Sequence, residues 1–270
     1  EEVFVYNEST GNFDLFYHLA GKNITLSCLH LDKNKNLWLG TTSNGIYCLS
    51  EDKNLSRPVT KGNITSIYED SSNELWIGSW EEGLYRVKTD GNIENLRHNP
   101  MNTNSLCSNF VRSCCEDNSG DLWIGTFNGL NRYDRETGKF HLYTANGNSP
   151  DGLTHSSIWC IVKDGQGTIW LGTYFGGVNY FNPEYEIYTR YKVGDTEKAG
   201  LSSPIVGRMT EDKDGNLWIC TEGGGVNVYD RINNTYRWYR HEEGRNSISH
   251  NNVKAIYYDR ANEIMWIGTH

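Results

Sequence analysis

The sequence has no long apolar run and no excess of positive charge, and each absence excludes a class of protein. The longest apolar stretch, Ile158-Trp159-Cys160-Ile161-Val162, is far shorter than the roughly 20 residues that a membrane-spanning helix needs, so we expect a soluble chain. Lysine and arginine total 25 against 34 aspartate and glutamate residues, a net charge of -9. This balance opposes the attraction to phosphates on which nucleic-acid binding depends, so we expect no nucleic-acid partner.

Paired cysteines and prolines are also scarce. The seven cysteines are odd in number and none forms a C-x-x-C pair, so the sequence indicates neither a disulfide framework nor a zinc site. Five prolines stand beside 28 glycines, and 13% of the residues are aromatic, a mixture typical of short strands joined by tight turns. We therefore expect a β protein without a metal ion or a cofactor.

One five-residue phrase recurs six times along the chain. It reads Leu, Ile or Met, then Trp, then Leu or Ile, then Gly or Cys, then Thr or Ser, and it is centred on Trp38, Trp76, Trp123, Trp170, Trp218 and Trp266. The intervals between these tryptophans are 38, 47, 47, 48 and 48 residues. A period in the forties built on strand-like segments is typical of the blades of a β-propeller.

Each repeat contains the elements of a four-stranded antiparallel blade. An alternating stretch such as residues 64–68 is followed by an Asp six or seven residues before the Trp, which predicts a turn into a Trp-bearing second strand. A Gly then leads into a third strand, and a polar turn leads into a fourth, aromatic strand. The repeated Trp and Gly are therefore explained by packing between neighbouring sheets, where an aromatic side chain buries roughly 150–250 Å². Cys220 replaces the Gly once, where we expect a small thiol to fit.

The two ends of the chain complete one another in this pattern. The last repeat stops after its second strand, whereas residues 3–6 and 14–17 have the pattern of a third and a fourth strand. We therefore predict one all-β domain, residues 1–270, that is a β-propeller of four-stranded antiparallel blades. It has six blades, one of them a composite of both termini that removes free sheet edges. The alternative is a segment of a seven-bladed ring.

Residues 212–230 carry the fullest match to a known repeat pattern. They read Asp-Lys-Asp-Gly-Asn-Leu-Trp-Ile-Cys-Thr-Glu-Gly-Gly-Gly-Val-Asn-Val-Tyr-Asp, which resembles the two-component-regulator propeller repeat. The resemblance spans essentially the whole chain. It implies the periplasmic sensor region of a hybrid two-component receptor of Bacteroides-type bacteria, associated with breakdown products of complex polysaccharides. Such receptors usually add an immunoglobulin-like domain, a membrane helix and a kinase, so we expect membrane contact, kinase activity and any homodimer only through such domains.

Candidate ligand-binding residues lie where the repeats differ from one another. The position four residues after the repeat Trp holds Thr42, Trp80, Phe127, Tyr174, Glu222 and His270, and the next position includes Glu81, Asn128 and Phe175. In a propeller these turns gather around one mouth of the central channel, where aromatic rings beside polar groups suit a sugar. We therefore predict an oligosaccharide or another small polar ligand there, with Arg112 and Arg208 as candidates for binding a uronate or a sulfate.

The sequence contains no catalytic constellation. It has no G-x-S-x-G, H-E-x-x-H or G-x-x-x-x-G-K-[ST] motif, so we expect a protein that is not an enzyme. Two alternatives stay open. One is a propeller lyase similar to streptogramin lyases, with His155, His250 or His270 as the general base, and the other is a protein-interaction scaffold.

Overall fold

The computed structural model describes residues 2–19, 24–59, 61–145, 152–183, 187–196 and 199–270, without the side chains of residues 187, 188 and 190. All regular structure within these ranges is β-strand. The 24 strands form five four-stranded and two two-stranded antiparallel sheets, each built from strands that are consecutive in the chain. The predicted fold class, an all-β propeller of four-stranded antiparallel blades, is confirmed.

The sheets are numbered as blades in chain order. An N-terminal hairpin precedes them and consists of β1 (Glu2–Asn7) and β2 (Asn12–His18). Blade 1 contains β3 (Leu26–Leu31), β4 (Leu37–Thr41), β5 (Ile46–Leu49) and β6 (Leu55–Val59); blade 2 contains β7 (Ile64–Glu69), β8 (Leu75–Ser79), β9 (Leu84–Val87) and β10 (Ile93–Leu96). Blade 3 contains β11 (Val111–Glu116), β12 (Leu122–Thr126), β13 (Gly129–Asp134) and β14 (Lys139–Tyr143); blade 4 contains β15 (Ile158–Lys163), β16 (Ile169–Thr173), β17 (Val178–Asn182) and β18 (Ile187–Tyr191). Blade 5 contains β19 (Val206–Glu211), β20 (Leu217–Thr221), β21 (Gly225–Asp230) and β22 (Thr235–Tyr239), and blade 6 contains β23 (Val253–Asp259) and β24 (Ile264–Thr269).

The repeated Asp ties the first turn of a blade to the repeat Trp. In blade 2, Asp70 Oδ1 accepts hydrogen bonds from the backbone N–H groups of Ser72 at 2.8 Å and Glu74 at 2.9 Å. Its other oxygen accepts the indole N–H of Trp76 at 2.7 Å. The same indole bond occurs in blades 1, 3, 4 and 5, each at 2.8 Å. The sequence predicts the turn bond, and the bond to Trp is a second role of the same carboxylate.

The repeat Trp of one blade packs on the next blade. Trp76 is fully buried and lies against Leu122 and Ile124 of blade 3, and Trp123 packs in the same way on Leu171 of blade 4. Because each indole removes a large apolar area from water, these contacts are a main source of cohesion between blades. The repeat Trp residues therefore have the structural role that their spacing predicts.

Cys220 fits at the glycine position because its neighbourhood differs from that of the other blades. In blade 3 a side chain on Gly125 would place its Cβ only 2.7 Å from Cγ2 of Ile158. In blade 5 the facing strand carries Gly207, and even a Cβ added there would lie 3.6 Å from the Cβ of Cys220. The thiol is fully buried beside Val226.

The two chain ends lie side by side, but they do not share a hydrogen-bonded sheet. The rings of Tyr6 and Trp266 are 5.2 Å apart, and Val3 is buried against Leu39 of blade 1. Within the described residues β24 forms no ladder with β1, so the predicted composite blade is present as two hairpins in side-chain contact. Blade 6 also differs from the other repeats in spacing, since Asp259 stands seven residues before its Trp instead of six.

Candidate functional site

The position four residues after the repeat Trp has the same backbone environment in all six repeats. Its N–H donates, at 2.8 to 3.1 Å, to the carbonyl oxygen of the residue that directly precedes the first strand of the same blade. The six bonds join Thr42 to Thr25, Trp80 to Asn63, Phe127 to Phe110, Tyr174 to Ser157, Glu222 to Ile205 and His270 to Asn252. These turns therefore lie at one common place in the blades, beside the loops that lead into the first strands.

Each first strand has a β-bulge or register shift near its beginning. In β11 the shift falls between Val111 and Ser113, so Arg112 has no partner across the ladder. In β15 the shift leaves Trp159 without a partner in the same way. A bulge bends its strand and re-aims the extra side chain. Arg112 and Trp159 thereby contact the neighbouring turns instead of following the alternation of their sheets.

Six aromatic side chains from blades 2, 3 and 4 form a cluster at this place. The aromatic cluster consists of Trp80, Phe110, Phe127, Trp159, Tyr174 and Phe175. Ring centroids are 5.5 Å apart for Trp80 and Phe110, and 6.1 Å apart for Phe110 and Phe127. Trp159 stacks on Tyr174 at 5.5 Å and 17°, and Tyr174 meets Phe175 edge-on at 4.4 Å. The structure thus brings together all four aromatic residues that the sequence predicts for the site.

The aromatic cluster is open to solvent. Phe127 is 46% exposed and Phe175 is 55% exposed. A cleft of 220 Å³ adjoins Trp80 and is lined also by Asn63, Glu81 and Glu82. Exposed rings next to a carboxylate and an amide provide both a stacking surface and hydrogen-bonding groups, the combination found in sites for small polar ligands.

Arg112 joins the two halves of the aromatic cluster. Only 7% of the residue is exposed. Its guanidinium carbon lies 5.0 Å from the ring centroid of Trp80, 5.4 Å from that of Phe127 and 3.9 Å from that of Trp159. Burial lowers the pKa of Arg112 to about 10, an effect that nearby Tyr174 partly opposes. The side chain therefore stays cationic at neutral pH and is held by cation–π contacts.

The predicted polar residues fall into two groups. Glu81 and Asn128 are exposed on the same turns as Trp80 and Phe127, so they flank the aromatic cluster. Glu222, in contrast, accepts a hydrogen bond from the ammonium group of Lys254, the bulge residue of blade 6. His270 is exposed at the equivalent turn of blade 6, and within the described ranges no ring contact joins it to the cluster.

Arg208, on β19 of blade 5, forms no cation–π contact with the aromatic cluster in the described ranges, and its charge reaches three thiols. Its charge acts on Cys28, Cys160 and Cys220, which belong to blades 1, 4 and 5. Burial raises the pKa of Cys160 and of Cys220 to about 12, and Arg208 only partly opposes this effect. The charge of Arg208 thus reaches blades 1 and 4 as well as its own blade 5.

Two of the three histidines proposed as general bases, His155 and His250, accept a backbone hydrogen bond. The N–H of Ser157 donates to Nδ1 of His155 at 3.0 Å, and the N–H of Asn252 donates to Nδ1 of His250 at 3.0 Å. At the equivalent turns of blades 3 and 5, a Ser hydroxyl accepts the same bond, at 3.1 and 3.3 Å. His155 and His250 therefore replace a turn-forming serine.

Sequence reasoning missed two members of the aromatic cluster, Phe110 and Trp159. A signal for Trp159 was present, since this Trp falls outside the repeat phrase that accounts for most of the other tryptophans. Phe110 directly precedes a first strand and therefore faces the turn that carries Phe127. Lys254, the partner of Glu222, was also missed.

The described ranges contain neither a cluster of metal-ligating side chains nor a helix that could span a membrane. No three His, Cys, Asp or Glu side chains among these residues stand close enough together to hold a metal ion. Over the same part of the chain, no helix is long and apolar enough to cross a membrane.

The repeats define the family. Six segments match the two component regulator propeller repeat, residues 18–43, 58–81, 105–128, 152–175, 200–223 and 247–270. Together they make up more than half of the chain, which therefore belongs to the two component regulator propeller family. Among curated proteins, none matches the chain significantly.

Several solved structures share the fold at low sequence identity. The extracellular domain of a putative one component system from B. thetaiotaomicron is 22% identical, with a TM-score of 0.52, over 98% of this chain and 42% of that one. Virginiamycin B lyase from Staphylococcus aureus is 14% identical, with a TM-score of 0.68, over 94% and 87%. An auxiliary nutrient binding protein from Bacteroides thetaiotaomicron is 12% identical, with a TM-score of 0.60, over 90% and 66%. The chain thus spans about two fifths of the length of the first of these.

Proposed function

We propose that the chain is an extracytoplasmic, non-catalytic sensor propeller of a hybrid two-component signalling receptor. We further propose that it recognises oligosaccharides released from polysaccharides. Its membership of the two component regulator propeller family supports the signalling role. The fold that it shares with the extracellular domain of a putative one component system supports the same role and the location.

The aromatic cluster is the observation that carries the proposal for the ligand. Rings from three successive blades meet at one place, although packing between the blades is already provided by the repeat Trp residues. Phe127 and Phe175 remain largely exposed within it, an arrangement that the blade core does not require. Flat apolar faces bordered by Glu81 and Asn128 match a sugar, whose ring has apolar faces and a polar rim.

The turn histidines favour binding without catalysis. A general base must reach the proton that it abstracts, and Nδ1 of both His155 and His250 is already engaged by a backbone N–H. The guanidinium of Arg112 binds but does not act as a base at neutral pH.

Substitution of the aromatic residues tests the proposal. We expect Trp80→Ala, Phe127→Ala and Tyr174→Ala each to weaken oligosaccharide binding by about 1–3 kcal/mol, because exposed rings that stack on a ligand act as hot spots. The fold should persist, since these residues lie in turns at the end of the blades. Titration calorimetry against neutral and acidic oligosaccharides measures the effect, and mass spectrometry of the recovered ligand shows whether it is turned over.

Phe13→Ala is the matched control. Phe13 is an exposed aromatic residue, 61% against 46% for Phe127, but it lies on the N-terminal hairpin against Trp266, so its loss should leave binding unchanged. If the three cluster variants bind like the wild type while substitutions at the opposite face abolish binding, the ligand site lies elsewhere. A chemically altered ligand would instead support the lyase alternative.

A further inference from the structure

We propose that Arg112 binds an anionic group of the ligand, a carboxylate or a sulfate carried by a sugar. This inference rests on the proposed function and narrows its ligand class. Arg112 is 7% exposed and lies between rings on three blades. The side chain is therefore part of the same surface on which the sugar would stack.

The guanidinium of Arg112 lacks the acidic partner that comparable arginines have. Its Nε is buried and has no hydrogen-bond partner, and Nη1 makes only a long bond, 3.4 Å, to the hydroxyl of Ser157. No carboxylate in the described ranges forms an ion pair with it. A buried donor without an acceptor is costly to the folded protein, so a group that supplies acceptors would bind there favourably.

Four other arginines show how this chain normally treats a cation beside its blades. Arg86 pairs with Glu74, Arg132 with Asp121, Arg135 with Asp70, and Arg231 with Asp164. All four are more exposed than Arg112, with 20–30% of the side chain accessible. Three of them also lie over a repeat Trp, Arg86 and Arg135 over Trp76 and Arg231 over Trp170. Among these five arginines, the most buried one is thus the one without an ion pair in the described ranges.

The cation–π contacts orient Arg112 without consuming its donors. Aromatic faces attract the delocalised charge, but they accept no in-plane N–H bonds of the kind a carboxylate or sulfate accepts in bidentate geometry. An acidic sugar that stacks on the exposed rings would therefore place its charged group within reach of a guanidinium already fixed in position. A neutral sugar would gain the stacking alone.

Tryptophan fluorescence gives a direct test because Trp80 and Trp159 flank the guanidinium. The full chain is titrated at constant ionic strength with glucuronate, glucose and sodium sulfate. We expect glucuronate to bind about tenfold or more tightly than glucose, the usual size of one charge-assisted hydrogen bond. Sulfate alone should give a saturable change in fluorescence.

Arg112→Gln and Arg112→Lys complete the test. In Arg112→Gln the preference for glucuronate should fall to near unity, and the sulfate response should disappear. In Arg112→Lys, which keeps the charge but loses the planar fork, an intermediate preference is expected. Melting temperatures show whether both variants fold. If neither variant folds, the comparison of glucuronate, glucose and sulfate on the wild-type chain still tests the proposal.

The outcomes separate this inference from the proposed function. Equal wild-type affinity for glucuronate and glucose, or an unchanged preference in Arg112→Gln, would overturn the role of Arg112 and leave sugar binding intact. A sulfate response that depends on Arg112, without binding of any saccharide, would support the anion site and overturn the saccharide proposal. No response to any probe would refute the anion site, and oligosaccharide calorimetry would then decide the proposed function.

Discussion

Replacing the repeat Trp by Ala should lower the free energy of unfolding by very different amounts in blade 2 and in blade 6. Trp76 is fully buried, donates its indole N–H to Asp70 and lies beneath the guanidinium groups of Arg86 and Arg135. Trp266 is partly exposed, and in the described part of the chain it has ring contacts on the N-terminal hairpin but no indole bond to an Asp. The repeat phrase around the Trp is alike in both blades, so the size of this difference follows from the burial and contacts of each ring in the structure.

The burial and the hydrogen bonds of each Trp set the expected loss of stability. A buried Trp removes roughly 150–250 Å² from water, and Trp→Ala in a core that does not collapse costs about 3–5 kcal/mol. The lost indole bond adds about 1 kcal/mol, because Asp70 keeps its bonds to the turn and to Arg135. We therefore expect about 4–6 kcal/mol for Trp76→Ala. For Trp266→Ala we expect about 2 kcal/mol, since less apolar area is lost.

Urea unfolding followed by near-ultraviolet circular dichroism measures both losses. The free energy of unfolding is extrapolated from the midpoint and the slope of each transition. Trp76→Phe serves as a control that retains most of the ring volume while removing the indole donor, and it should lie between wild type and Trp76→Ala. Equal losses in Trp76→Ala and Trp266→Ala would refute the reasoning, because blade 6 would then be packed as tightly as blade 2.

Two further predictions concern charge and space in the blade core. Burial raises the pKa of Asp70, but hydrogen bonds, led by that of the Trp76 indole, outweigh it and hold the pKa below its ordinary value. A lowered pKa stabilises the fold above the unfolded value of about 3.9 and loses this contribution as pH falls through the folded pKa. Unfolding midpoints at pH 7 and pH 3 should therefore differ less in Asp70→Asn than in wild type, and an equal difference would contradict this assignment. Gly125→Ala should lower the free energy of unfolding by about 1–3 kcal/mol, because the added Cβ would clash with Ile158. Cys220→Ala should lower it by less than about 1.5 kcal/mol. Thermal unfolding measures both, and similar losses would show that the two sites are equally tightly packed.

The repeating part of the fold could be predicted from the sequence because each repeat encodes its own local structure. The Asp before Trp76 makes its turn within a few residues, and the strand alternation follows from burial on the faces of a sheet. The turn position of Trp80 and Phe127 could be predicted for the same reason. Such features depend on contacts between residues close in sequence.

The features that the sequence did not predict depend on strand register and on contacts between blades. Trp159 looks like one residue of an apolar strand, and only the bulge in β15 removes it from that pattern. That Arg112 lacks a counterion could not be predicted, since it depends on which carboxylates face it from other blades. The composite blade was predicted, but its two hairpins share no backbone ladder among the described residues, because matching strand patterns do not determine whether two chain ends align their backbones.

The bulges at the start of the first strands affect how this protein can change over time. A residue at the bulge has no partner across the ladder, so a new side chain there alters neither pairing nor the alternation of the strand. Blade 2 carries Thr65 at this place, blade 3 Arg112, blade 4 Trp159 and blade 6 Lys254. Under the proposed function, selection for a different ligand can therefore act on these positions around the ring while the strand pairing beneath them is inherited unchanged.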